Sequence, residues 1–207
     1  MRRAVRDYLA EVFAMLGPGD DRFASPEAWA DLEAELRTKL PEDYKAVIDA
    51  YAPMQINGHL ILKHPATERW NLGKEIRQTS RAWAELDWER ENWLEPEEDA
   101  RAVLGLSKMT FGTKDGLIPL TSTDRGEYIF LAPLPDGTGV RICAVEHDGS
   151  WYEYRMSFAE WLYRYLIGED MVGPNSSTFY PGPVLLEPLP MSPDDRPTPT
   201  HGPHRRM

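Results

Sequence analysis

Asp124 and Glu127 flank the turn in "TSTDRGEYIF" and are the clearest candidates in this chain for a pair of catalytic carboxylates. Two carboxyl groups held close together can divide the roles of general acid and general base. Aspartate in a turn, however, commonly hydrogen-bonds to its own backbone. We therefore interpret both residues as parts of a turn and predict no catalytic residue here.

Metal binding and nucleophilic catalysis are the next possibilities. His59 and His64 flank a short apolar run, and an odd spacing of five positions directs them to opposite faces of a strand, where they cannot share a metal. His201 and His204 lie in a proline-rich tail that a metal would first have to order. Cys143, the single cysteine, lies in an apolar strand and is expected to pack as inert core. We predict no metal site and no cofactor.

The motifs of common enzyme classes are missing from the sequence. It contains no glycine-rich phosphate loop, no nucleophile elbow and no cysteine pair. An enzyme would need a pocket with convergent polar groups, and no pattern in the sequence identifies one. The sequence therefore favours a non-enzymatic protein.

Negative charge dominates the composition, with 23 basic against 34 acidic residues and a net charge of −11. Such a field repels nucleic acid and anionic membranes but attracts basic proteins. The densest acidic stretch covers residues 85–99, in which Arg90 is the one basic residue. The candidate protein-binding residues are Glu85, Asp87, Glu89 and Glu91 in this stretch, with Asp124, Glu127, Glu146 and Asp148 at two turns.

Apolar residues at spacings of three and four predict helices in five regions. The first covers about residues 5–16, and the second begins at Ser25 and Pro26, a good capping pair. Pro41 begins a third helix, because proline fits the first turn of a helix but cannot continue the preceding one. A long helical segment follows at residues 68–104, and "SFAEWLYRYLIG" predicts the last helix, with a capping box at Ser157.

Five apolar runs predict strands: "HLILK", "LIPLT", "GEYIFLA", "GVRICAVE" and "SWYEYRM". Short turns separate the last four, so these strands are expected to be antiparallel neighbours. The predicted fold class is α+β, with a mostly antiparallel mixed sheet of about five to six strands packed against helices.

The predicted organisation is one domain with two extensions. Residues 1–24 form an amphipathic helix and linker, and residues 25–173 form the domain, with a helical insert at about 66–108. Residues 174–207 hold nine of the 18 prolines and form a C-terminal extension. Phe179, Tyr180 and the apolar cluster at 184–186 can lie extended along the body, whereas the last part has nothing to bury and is predicted to be disordered.

Nothing in the sequence predicts export or membrane insertion. Arg6, Asp7 and Glu11 interrupt what would be the apolar core of a signal peptide. No apolar run approaches the ~20 residues that cross a bilayer. We expect a cytoplasmic protein.

The ordered set of "LPEDYKAVIDAY", Gly58 with "LILK", "GLIPLTSTDRGEYIFL" and "SFAEWLYRYLIG" resembles the SUKH superfamily over about residues 25–170. This family groups bacterial immunity proteins of polymorphic toxin systems with a fungal regulator of cell-wall synthesis. The resemblance implies an α+β fold and a non-enzymatic, protein-binding role. Two features depart from the family pattern: "APMQING" replaces its glycine-rich loop, and Glu127 stands where Asp or Asn is common.

Two functional hypotheses follow. In the first, the protein is an immunity protein that binds and neutralises a basic toxin domain, with charge complementarity increasing the association rate. In the second, it is a structural or regulatory adaptor of a cytoplasmic assembly, and its proline-rich tail docks into a groove of the partner. In both, the partner is another protein, and the sequence leaves the oligomeric state open.

Overall fold

The structure, a computed structural model, describes residues 6–88, 99–134, 136–177 and 182–204. Glu89 and Glu91, together with Phe179 and Tyr180, lie outside the described residues. The helices in the described part are α1 (Tyr8–Leu16), α2 (Pro26–Leu36), α3 (Glu42–Tyr51), α4 (Leu72–Ala84), α5 (Ala100–Leu104) and α6 (Phe158–Leu166). The strands are β1 (Met54–Ile56), β2 (Leu60–Leu62), β3 (Ile118–Thr123), β4 (Tyr128–Pro133), β5 (Val140–Val145), β6 (Trp151–Tyr154), β7 (Leu185–Pro188) and β8 (Thr200–His201).

Side-chain caps explain where most helices begin. At each of five N-termini a side-chain oxygen of the N-cap residue accepts a hydrogen bond from a backbone N–H in the first turn, which would otherwise lack a partner. These caps are Asp7, Ser25, Asn71, Asp99 and Ser157. The predicted starts of α2 and α6 are confirmed, and α3 begins one residue after Pro41, as expected for a proline at a helix start.

All eight strands form one antiparallel sheet in the order β6-β5-β4-β3-β2-β1-β7-β8. The α+β class is confirmed, but the sheet has more strands than the five to six predicted. The additional strands are β1, β7 and β8, which contain three, four and two residues. β2 is equally short but is a continuous apolar run, whereas β1 and β8 contain polar residues and β7 lies among prolines, so the sequence does not reveal these three strands.

The central strands are buried on both faces. Ile129 and Leu131 of β4 point into a core formed with α1, α2, α3 and α6, whereas Phe130 and Ala132 point into a second core on the opposite face. Half-buried Trp83 from the end of α4 packs in the second core, with its ring 5.9 Å from that of Phe130. Trp88 of the helical insert also packs against this second core.

The C-terminal extension adds two strands to one edge of the sheet. β7 pairs with β1, and β8 pairs with β7 through Leu185↔His201 and Leu186↔Thr200. Val184 and Leu186 are buried, so this cluster lies along the body. Next to β8, the backbone at Gly202 packs against the end of α1.

Within the described part of the chain, no helix combines the length and apolar character needed to cross a membrane. The longest, α4, has 13 residues.

Candidate functional site

The antiparallel order of the strands places three turns at the same end of the sheet. They are residues 57–59 between β1 and β2, residues 124–127 between β3 and β4, and residues 146–150 between β5 and β6. The register fixes this arrangement, because Leu60 pairs with Thr123 and Tyr128 pairs with Val145. Strand spacing of about 4.8 Å separates the second and third turns by roughly 10 Å. Acids that are distant in sequence therefore share one surface.

The end of α4 reaches this same end of the sheet. The Trp83 ring lies 6.0 Å from that of Tyr128 and 5.4 Å from that of Trp151. Tyr128 and Trp151 are the first residues of β4 and β6, and both are therefore adjacent to the turns. Glu85 and Asp87 follow directly and are exposed. We call the resulting surface the acidic end; it comprises Glu85, Asp87, Asp124, Glu127, Glu146 and Asp148.

The six acids of the acidic end differ in exposure. Glu85, Asp87, Asp124 and Asp148 are exposed, Glu146 is half-buried and Glu127 is only 3% exposed. The backbone N–H of Ser150 donates to the Asp148 carboxylate at 2.9 Å and lowers the pKa of that carboxyl, which keeps it ionised. The hydroxyl of Tyr152 donates to Glu146 at 3.3 Å. Glu85 and Asp148 are exposed at this surface, whereas Asp124 and Glu127 contact His59 within the fold.

His59 joins two of the turns through contacts that the sequence did not reveal. It is 3% exposed, and its ring lies between two acids: Nδ1 hydrogen-bonds to Asp124, and Nε2 is 3.4 Å from Oε2 of Glu127. Burial alone would lower the pKa of His59, but the hydrogen bonds and charges of Glu127 and Asp124 outweigh it and raise the pKa. We infer a buried imidazolium that joins the first turn to the second.

Glu127 is held in its ionised form by the same arrangement. Burial would raise its pKa, but the interaction with His59 and the 2.7 Å hydrogen bond from the Thr123 hydroxyl lower it. Asp124 was expected to cap its own turn, but its carboxylate binds His59 instead. The two acids therefore stabilise a cation and are not arranged as an acid and a base with a substrate between them.

His64 has the opposite electrostatic state. It is fully buried at the other end of β2, where its Nδ1 accepts a hydrogen bond from the Ala66 N–H at 3.0 Å. Nε2 must then carry the proton, and it donates to Asp49 at 3.0 Å, which also accepts from the Trp29 indole at 2.7 Å. Burial lowers the pKa of His64 more than Asp49 raises it, so this histidine is neutral. The two histidines have separate partners, and no cluster of three or more possible ligands occurs among the described residues.

Cys143 is fully buried in β5, and burial raises the pKa of its thiol to about 12. A thiol in this state is protonated at neutral pH and inert. The prediction of a core cysteine is confirmed.

A cavity of about 630 Å³ lies at the opposite end of the sheet from the three turns, beside the β4–β5 hairpin. Its titratable lining residues are Asp43, Asp136 and Arg155. Asp43 already accepts hydrogen bonds from the backbone N–H groups of Tyr44 and Ala159 at 2.9 and 2.7 Å. The remaining lining is mainly apolar, formed by Pro41, Leu131, Leu134, Val140, Ile142, Met156 and Phe158. This cavity does not gather free polar groups as a catalytic pocket would.

Comparison with known proteins rests on one family match. No curated protein and no solved structure matched the chain. The sequence model of the SMI1 / KNR4 family (SUKH-1) matches residues 24–164, which include β1 to β6 and the whole acidic end. The order of helices and antiparallel strands agrees with the fold expected from the resemblance. The chain therefore belongs to the SMI1 / KNR4 family (SUKH-1).

Proposed function

We propose that this protein is an immunity-type binding module whose acidic end binds a basic toxin domain and neutralises it without catalysing a reaction. Family membership suggests an immunity-type or regulatory role in protein binding. The observation that carries the proposal is the convergence of acids from the segment after α4 and from two hairpin turns on one end of the sheet. A basic partner would be attracted to this end before contact, which increases the association rate.

The acidic end also offers an apolar anchor. Leu86 is 51% exposed, and the neighbouring Trp88 is half-buried against Trp151. Interfaces obtain most of their binding energy from a few apolar or aromatic residues within a polar rim. We propose that the acids guide the partner and that Leu86 and Trp88 lengthen the lifetime of the complex.

Charge reversal tests the proposed role of the acids. We expect a variant combining Glu85→Lys, Glu146→Lys and Asp148→Lys to associate about tenfold more slowly at low salt, with little difference at high salt, because salt screens exposed charges. The partner is first identified by affinity capture from the native cell and mass spectrometry, and the rates are then measured by stopped-flow fluorescence. Equal rates for the variant and the wild type at low salt would contradict the electrostatic proposal.

The control variant reverses acids elsewhere. Glu27 and Asp31 are exposed on α2, close to Trp29 and the His64 end of β2. The Glu27→Lys and Asp31→Lys variant changes the net charge by four, against six for the test variant, but leaves the acidic end intact. It is expected to retain most of the association rate.

The adaptor hypothesis receives less support. It assigned partner docking to the tail, but Val184 and Leu186 are buried in the protein's own body. The partner's activity distinguishes the two roles: inhibition by stoichiometric protein supports immunity, whereas a partner that remains fully active when bound supports an adaptor. A toxin gene immediately upstream would also support immunity.

A further inference from the structure

The C-terminal extension lies on an edge of the sheet that the matched family region leaves open. Residues 24–164 contain the strands from β6 to β1, so β1 would be the last strand of the sheet without the extension. An open edge strand presents unpaired N–H and C=O groups that readily pair with another extended chain. In this protein β7 occupies that edge.

The tail binds this edge as an extended peptide ligand would. The Asn57 N–H donates to Leu185 O at 2.8 Å, and the Leu185 N–H donates to the Asn57 side chain at 2.9 Å. Farther along, the Leu189 N–H donates to Pro53 O at 3.2 Å. Val184 and Leu186, at alternate positions, are 0% and 6% exposed. Main-chain bonds with alternate apolar anchors characterise recognition by strand addition.

The far end of the tail is held by a small contact. β8 has only two residues, both exposed, and the Gly202 N–H donates to Val184 O at 2.9 Å. A Cβ atom on Gly202 would overlap the backbone carbonyl oxygen of Met15, so the end of α1 accepts only glycine here.

The tail does not fill the space beneath it. A cavity of about 430 Å³ remains between the tail and the body, lined by residues that include Phe23, Tyr51, Met54, Leu189 and Met191. Segments with few buried apolar side chains open at a lower free-energy cost than the core. The tail therefore has the properties of a segment that can leave its site while the rest of the fold persists.

We propose that residues 184–203 are an internal ligand that covers a second protein-binding site, separate from the acidic end. The site consists of the outer edge of β1 and the adjoining cavity. The ligand it accepts is an extended segment of another protein with the chemistry of the tail, namely aliphatic residues at two alternate positions followed by a proline, as in Val184, Leu186 and Pro188. Partner and tail exclude each other, because both pair with the same backbone groups of β1.

Opening the contact at Gly202 tests this proposal in the full-length chain. The probe is a fluorescent synthetic peptide of residues 182–204, and binding is measured by fluorescence anisotropy. A tethered tail competes at a high effective concentration, so the Gly202→Val variant is expected to bind the peptide about tenfold or more tightly than the wild type. Hydrogen exchange at the Asn57 amide should accelerate in the variant and slow again when the peptide is added.

The chain offers a matched control at Gly182, where a Cβ atom would meet nothing within 4 Å. The Gly182→Val variant should behave as the wild type, and a peptide carrying Val184→Asp and Leu186→Asp should not bind any variant. A folded Gly202→Val protein with unchanged exchange at Asn57 and no peptide binding would overturn the proposal. So would equal binding of the peptide to the wild type and to Gly202→Val.

A second measurement applies if circular dichroism shows that Gly202→Val does not fold. A protease site inserted at Gly182 is cut after the protein has folded, and the cut protein is incubated with excess labelled peptide. Exchange of the cut tail for the labelled peptide supports a displaceable ligand. Retention of the original tail against that excess shows that the segment is a permanent part of the sheet.

Discussion

Leucine in place of Arg141 is expected to lower the free energy of unfolding by about 3 kcal/mol, the range for a buried ion pair that loses one partner. Arg141 in β5 is fully buried, and its guanidinium donates to Glu153 of β6 at 2.7 Å and to the backbone carbonyl of Leu104. That carbonyl belongs to the last turn of α5, where the helix itself supplies no partner. The substitution leaves a buried acceptor unpaired and removes a bond that joins α5 to the sheet.

Urea denaturation followed by tryptophan fluorescence measures this loss, and Arg155 provides the control. Arg155 also binds Glu153, at 2.5 Å, but its side chain is 73% exposed. An exposed ion pair contributes between 0 and about 1 kcal/mol, so Arg155→Leu is expected to cost well under 1 kcal/mol. Similar losses in the two variants would show that the burial of Arg141 does not determine its contribution.

Replacing His59 by leucine is expected to cost about 2 kcal/mol at pH 6, because Glu127 then remains buried without a cation. The sign of the pH dependence follows from the two shifts. The pKa of His59 is raised above its ordinary value of 6.5, so its contribution is complete below pH 6.5 and is lost as the pH rises through the folded-state pKa. The pKa of Glu127 is lowered from 4.5, so its contribution is complete above pH 4.5 and is lost as the pH falls through its folded-state value.

The two contributions are therefore both complete between about pH 4.5 and 6.5. We expect the stability difference between the wild type and His59→Leu to be largest in this range and to shrink at higher pH. Denaturation curves from pH 4 to pH 9 measure it. His147 is exposed in the third turn, and His147→Leu serves as the control, with a small stability difference expected. A stability difference for His59→Leu that grows steadily from pH 6 to pH 9 would contradict a buried imidazolium.

The charge of His59 also affects how the acidic end can attract a partner. Its positive charge offsets part of the negative charge of Asp124 and Glu127, so the unpaired charge of the acidic end comes mainly from Glu85, Glu146 and Asp148. These are the acids chosen for charge reversal. A variant at Glu127 would disturb the fold and the surface together, and its effect on binding would be difficult to interpret.

Much of the fold was predictable from local patterns. Ser25, Pro26, Pro41 and Ser157 mark helix starts through capping and backbone geometry that involve only near neighbours in the chain. The four strands from β3 to β6 were predictable because apolar runs are separated by short turns. Local patterns also placed Asp124, Glu127, Glu146 and Asp148 in turns, which is where the structure has them.

The α+β class, the negative charge and the positions of most helices and hairpins follow from the sequence, because each depends on composition or on residues close together in the chain. The eight-stranded order, in which β7 and β8 extend the sheet beyond β1, is visible only in the folded protein. The same is true of the contact between His59 and an acid 65 positions away, and of the acidic end, where the segment after α4 meets the two hairpin turns. Contacts of this kind arise when distant strands pair and bury their side chains, and no local spacing of residues encodes them.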